Sequence, residues 1–197
     1  FPLPTARSDH RRRQVGDLVL TSSAIGAFND LLHELDPDAP HIDADAVATI
    51  ARWLGGLDEA RREFLLQARL GRLNELRAMR VDPGWSSDPA QTQRIDRLLA
   101  YIDCPDDLIP DNMPVYGLLD DALLVELAWP ILADEVEDYR DFCRFRAEAR
   151  RNARPALDQA TWLRARMEEG ALWEHLHHVH ERPYVEGGDP ERELRVR

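Results

Sequence analysis

Residues 101–126 read YIDCPDDLIPDNMPVYGLLDDALLVE, and this stretch decides the fold. Three prolines (Pro105, Pro110, Pro114), Gly117 and six aspartates lie between two apolar runs. Upstream, Ile95, Leu98, Leu99 and Ile102 fall at the spacing of one helix face. Pro105 disfavours helical backbone at Cys104, so that helix ends near there. Downstream, Leu118, Leu119, Ala122, Leu123, Leu127, Ile131 and Leu132 resume the helical period. Pro110 and Pro114 fix two φ angles and remove two backbone donors. Gly117 admits a left-handed or tight turn before the second helix. Leu108, Ile109, Met113 and Val115 are too apolar for a flexible linker, so the connector is expected to fold back on its helices. The stretch predicts a helix hairpin closed by a rigid loop, with Pro105, Pro110, Pro114 and Gly117 as its structural residues.

Outward from this corner the pattern stays helical. Ile25, Phe28, Leu31, Leu32 and Leu35 form a stripe over 21–35, ended by Asp36-Pro37. Val47, Ile50, Ala51 and Leu54 form a second, capped by Asp43 or Asp45 and stopped by Gly55-Gly56. Asp58 caps a longer helix to Met79, with Phe64, Leu65, Ala68, Leu73, Leu76 and Met79 inward and Arg61, Arg62, Arg69, Arg72, Arg77 and Arg80 outward. The turn-rich run 81–89, VDPGWSSDP, separates this part from the corner, and Trp85 reads as a lid over the core. Pro130 is expected to kink or break the helix after the corner. A further helix then reaches about Arg151, with acid near its start and arginine near its end. Asp158 caps a last helix to about His180, with Trp162, Leu163, Leu172, Trp173 and Leu176 inward. The resulting organisation is an arm (1–17), an N-terminal helical part (18–84), a helical core with C-terminal helices (90–182) and a polar tail (183–197). The two helical parts form one globular unit, because neither is large enough to insist on separate cores. The fold class is all-α, a compact bundle of six to seven helices around the hairpin.

Composition narrows the function classes. The chain has 197 residues, 44% of them hydrophobic, enough for a real core. Net charge is −12, and residues 93–139 carry two arginines against twelve acids. No lysine occurs, so every strong side-chain cation is an arginine. Acidity centred on the corner argues against nucleic-acid binding. Cys104 and Cys143 lack CxxC spacing, which speaks for a reducing, cytoplasmic setting and against a structural zinc finger. No run of 18 apolar residues is present to span a membrane. No signal-peptide pattern is evident at Phe1, which leaves open whether a leader precedes it.

The corner also carries a resemblance. Pro105, Asp107, Leu108, Ile109, Pro110, Asp111, Pro114, Gly117, Asp120 and Asp121 are similar, in register, to the signature of the YkvA-like family, a small helical domain of unknown function found widely in bacteria. The likeness covers roughly 95–145, about a quarter of the chain. It implies a helical fold and no activity. Pro130 departs from the family pattern, whose helix runs on through small and apolar residues.

Candidate sites follow from residue type and spacing. Asp107, Asp111, Asp120 and Asp121 can converge on a hard cation, which would relieve their repulsion. They can equally serve as helix-start and turn residues that accept backbone amides. His175 and His178 share a helix face and form a second, weaker metal candidate. Arginine is dense over 140–154, and Arg144, Arg150, Arg151 and Arg154 are candidates for a partner-binding face. No GxSxG, P-loop or Cys-His context appears, so no catalytic residue is assigned. The leading expectation is a non-enzymatic helical interaction or regulatory protein whose partner is another protein. The alternatives are a metal-dependent hydrolase using the aspartates and a peripheral membrane-associated protein. No cofactor is expected beyond a divalent cation at the aspartates, and the oligomeric state stays open.

Overall fold

The computed structural model describes residues 13–105, 107–152 and 158–181, with side chains through Leu172. Two short antiparallel strands, β1 (Gln14–Val15) and β2 (Leu18–Val19), precede seven helices. The helices are α1 (Ser22–Leu35), α2 (Ala44–Gly55), α3 (Glu59–Leu70), α4 (Arg72–Val81), α5 (Pro89–Ile102), α6 (Leu119–Arg151) and α7 (Gln159–Glu181). The all-α expectation therefore holds. The hairpin is an addition, since Gln14 to Asp17 read as part of an arm. Gly16 turns it at φ 56°, a left-handed conformation that glycine adopts without strain. Val15 and Leu20 are buried and anchor it to the helices. Among the described residues, no helix is long and apolar enough to cross a membrane.

The chain divides into two compact units, Phe1–Arg144 and Phe145–Arg197. In the first, Thr21, Asp43, Asp58 and Asp88 cap α1, α2, α3 and α5 by accepting first-turn amides. α1 packs on α5, and α4 on both α3 and α5. Phe28, Leu32, Leu35, Ile50, Leu54, Leu76, Ile95, Leu98, Leu123 and Phe142 are buried in this unit. Asn29 closes the α1–α2 connection. Its Oδ1 accepts from the Ile42 amide at 2.8 Å, and its Nδ2 donates to the carbonyls of Ile42 (2.8 Å) and Ile25 (2.7 Å). In the second unit, Ala149 and Trp162 are buried, Asp158 caps α7, and Arg166 lies 5.4 Å over the Trp162 ring.

Three local expectations are corrected. The helix expected over 58–79 is two helices parted at Gly71, where glycine lowers helix propensity by about 1 kcal/mol. Within it, Phe64 is 71% exposed and Ala68 is exposed, while Arg69 is buried. Arg69 takes the inward place because its aliphatic stem packs while its head donates to the Leu65 carbonyl and meets Glu126 at 3.3 Å. Second, α6 runs unbroken through Pro130. Leu123, Leu124, Val125 and Ala128 before it, and Leu132 and Val136 after it, are all buried, and that packing outweighs the roughly 3 kcal/mol a mid-helix proline costs. Third, Leu163 and Leu172 are 41% and 59% exposed rather than inward. Trp85 does act as a lid, its ring 5.4 Å from Tyr139 and 5.5 Å from Phe142.

Candidate functional site

The corner between α5 and α6 is a folded loop. Asp111 N donates to the Pro105 carbonyl, Met113 N to Pro110 and Gly117 N to Met113, so short turns replace the helix ladder. Leu108 and Ile109 are buried, which is the folding-back their apolar character predicts. Gly117 is required for a different reason than turn geometry. A Cβ there would stand 2.1 Å from the Asp111 carbonyl oxygen, so the two backbone segments touch. Tyr116 reaches away from the corner. Cβ atoms added at Gly16 and Gly55 would stand 3.5 and 2.6 Å from its ring and hydroxyl. One aromatic residue thereby locks the corner to the strand hairpin and to the end of α2.

Asp120 and Asp121 occupy the first turn of α6 and are 1% and 2% exposed. Asp120 Oδ2 accepts from the Tyr101 hydroxyl at 2.9 Å and from the Ile109 amide at 3.0 Å. Tyr101 comes from the last turn of α5, and its ring meets Phe28 edge-on at 6.0 Å. Its hydroxyl also lies 3.4 Å from the Leu108 amide. Both oxygens of Asp107, and Oδ1 of Asp111, Asp120 and Asp121, are buried without a hydrogen-bond partner. Among the described residues none of these four carboxylates is in an ion pair. The neighbouring arginines are engaged elsewhere, Arg77 with Asp103 and Arg69 and Arg72 with Glu126.

The electrostatics follow from this enclosure. Burial, then the charges of Asp120 and Asp121, pushes the Asp107 carboxyl up to about 8. Burial, then the charges of Asp120, Asp111 and Asp103, pushes Asp121 up to about 8. Burial also raises Asp120, opposed by the hydrogen bonds from Tyr101 and Ile109. Tyr101 is raised by burial and by the charges of Asp120 and Asp107, so it stays a neutral donor. Asp107 and Asp120 act on one another directly, Asp120 raising Asp107 and Asp107 lowering Asp120. The helix N-terminus favours negative charge by up to about 2 kcal/mol, yet desolvation wins here.

The predicted site residues are thus partly united. The four aspartates meet at one corner, but no three His, Cys, Asp or Glu side chains among the described residues already stand at metal-holding spacing. Arg144 is exposed beside Asp141 at 3.0 Å in the first unit. Arg150 and Arg151 are exposed in the second, and Arg154 lies outside the described residues. His175 and His178 fall on the part of α7 whose side chains lie outside the described residues. Sequence reasoning missed Tyr101 and Tyr116, although a tyrosine at each edge of a proline-rich corner, with a polar tip to satisfy, is a usable signal. It also missed Glu126, which joins α6 to Arg69 and Arg72 while Arg72 stacks 4.6 Å over Trp129.

A cleft of about 350 Å³ opens between α3 and the corner. Leu66, Met113, Val115 and Leu118 give it apolar walls, and Glu59, Glu63 and Asp111 outnumber Arg62 and leave it net acidic. Val115 projects 41% exposed from a backbone at φ 76°, a conformation that costs a β-branched residue roughly 1–3 kcal/mol. No family model matches the chain, and neither the curated proteins nor the solved structures contain a match.

Proposed function

We propose that the protein is a non-enzymatic helical interaction or regulatory module that grips a segment of another protein in the cleft between α3 and the corner. The observation that carries this reading is Val115, a strained residue whose apolar side chain is turned out into that cleft. Strain of this kind persists where the surroundings hold it and clusters at functional positions. Three carboxylates against one guanidinium, Arg62, with four apolar side chains, suit a partner segment with a basic residue beside an aliphatic one. The likeness of the corner to the YkvA-like signature fits a helical domain and adds no activity.

The test is paired capture from the native cell, with the wild-type chain and Val115→Arg as baits and a tag-only control. A partner that co-elutes with the wild type and falls at least tenfold with the variant supports the reading. Equal capture by both, or a strictly monomeric bait with no partner, overturns it. Metal-dependent hydrolysis is the second reading, favoured by one observation: Asp111 belongs both to the acidic corner and to the cleft. Turnover of phosphoester or carboxylester probes with Mn²⁺, lost in Asp111→Asn, would support it; no turnover removes it.

A further inference from the structure

We propose that the acidic corner binds a hard divalent cation of the Mg²⁺, Mn²⁺ or Ca²⁺ class, held by Asp107, Asp120 and Asp121 with Asp111 at its margin. The site shares Asp111 with the cleft, but Asp107 and Asp121, on which its test turns, do not line that cleft, so it stands or falls without the protein-binding reading.

Five carboxyl oxygens at the corner are buried without a donor, both from Asp107 and one each from Asp111, Asp120 and Asp121. Buried polar atoms are satisfied in the large majority of cases, and a cluster of exceptions needs an explanation. Asp120 and Asp121 are the decisive pair. Each is at least 98% buried, each keeps one oxygen unpartnered, and the charge of Asp120 acts on Asp121 and on Asp107. No arginine balances them among the described residues, because Arg77, Arg69 and Arg72 pair with Asp103 and Glu126.

Asp120 is built as a ligand is built. Tyr101 and the Ile109 amide both donate to Oδ2, which fixes the carboxylate and leaves Oδ1 for another partner. Supporting hydrogen bonds of this kind orient metal-binding carboxylates. The donors are all oxygen, and the nearby Cys104 is exposed, so the set selects hard cations over zinc or copper. Because no three of these carboxylates yet stand at metal-holding spacing, binding brings the Asp107 and Asp121 side chains toward the fixed Asp120 by rotation. The competing account is protonic: the corner is neutralised by protons shared among the acids, and cations do nothing.

The experiment uses the full chain, stripped with EDTA and returned to chelator-free buffer at pH 7.5. Melting temperature is followed against Mg²⁺, Mn²⁺ and Ca²⁺, with calorimetric titration for stoichiometry. One equivalent binds, and the melting temperature climbs with each tenfold increase in cation, as native-state binding requires. Asp121→Asn and Asp107→Asn each weaken that binding at least tenfold. In EDTA the same variants melt no lower than the wild type, because the amide replaces a carboxyl that burial already holds largely protonated at this pH; an aspartate kept for a structural bond would give a lower melting temperature. No response of the wild type to any of the three cations, or an undiminished response in both variants, overturns the proposal.

Discussion

The Tyr101 hydroxyl donates to Asp120 Oδ2 across 2.9 Å, joining the last turn of α5 to the first turn of α6. Nineteen residues separate the two, and everything between them is the corner. Replacing Tyr101 with phenylalanine keeps the edge contact with Phe28 but leaves a buried carboxylate one donor short. Loss of a hydrogen bond to a charged group costs about 1.5–3 kcal/mol. Urea unfolding of Tyr101→Phe should show that loss at neutral pH with an unchanged m-value. A stability equal to wild type would mean that the bond contributes nothing.

Acid protonation gives a second expectation. Asp107 and Asp121 are pushed up to about 8 in the folded state, far above the ordinary carboxylate range near 4. The folded protein therefore binds more protons than the unfolded chain between these values, and stability falls as pH rises through that interval. The groups facing them are Tyr101, Asp103, Asp111 and Asp120, and among the described residues only Asp103 of these has a cationic partner, Arg77. In EDTA, stability should decline from about pH 4 to pH 8. Chemical denaturation at one-unit steps measures it, and a flat or rising profile contradicts the burial of these carboxylates.

Gly117 presses against the Asp111 backbone, and an alanine Cβ would overlap its carbonyl oxygen. Backbone cannot yield as a flexible side chain can. Overpacking costs typically 1–3 kcal/mol. Gly117→Ala should lose about 3 kcal/mol and loosen the corner, read as faster amide exchange at Ile109. Gly26, whose added Cβ meets nothing within 4 Å, is the control, and Gly26→Ala should stabilise α1 by up to about 1 kcal/mol.

Asn29 is 3% exposed and satisfies both backbone groups of Ile42. Asn29→Ala strands an amide and a carbonyl in the core. Each buried orphan costs about 1–3 kcal/mol, so a loss near 3 kcal/mol is expected in thermal or urea unfolding. Asn29→Asp should be no better, since a carboxylate accepts from the Ile42 amide but cannot donate to its carbonyl.

Much of the fold was legible in the residues. Periodic apolar spacing located α1, α2 and α5, and Asp43, Asp58 and Asp158 cap their helices as their positions foretold. Spacing failed where two residue types could occupy one register. Phe64 and Arg69 differ by five residues, and hydrophobicity favours the phenylalanine inward. The arginine wins because Glu126, 57 residues further on, offers its head a partner, and no local pattern contains that information. Pro130 shows the same limit: its intrinsic cost is local, while the packing that overrides it comes from the rest of the bundle.

The sequence by itself determined that helices dominate, that a proline-stiffened turn joins two of them, and that four aspartates crowd that turn. These are matters of period, φ restriction and composition, all local. Only tertiary structure decided that Asp120 and Asp121 are enclosed, that Tyr101 reaches one of them, and that among the described residues no arginine pairs with them. Burial and charge pairing depend on what distant segments bring to the same place, and that juxtaposition turns an acidic stretch into a candidate site.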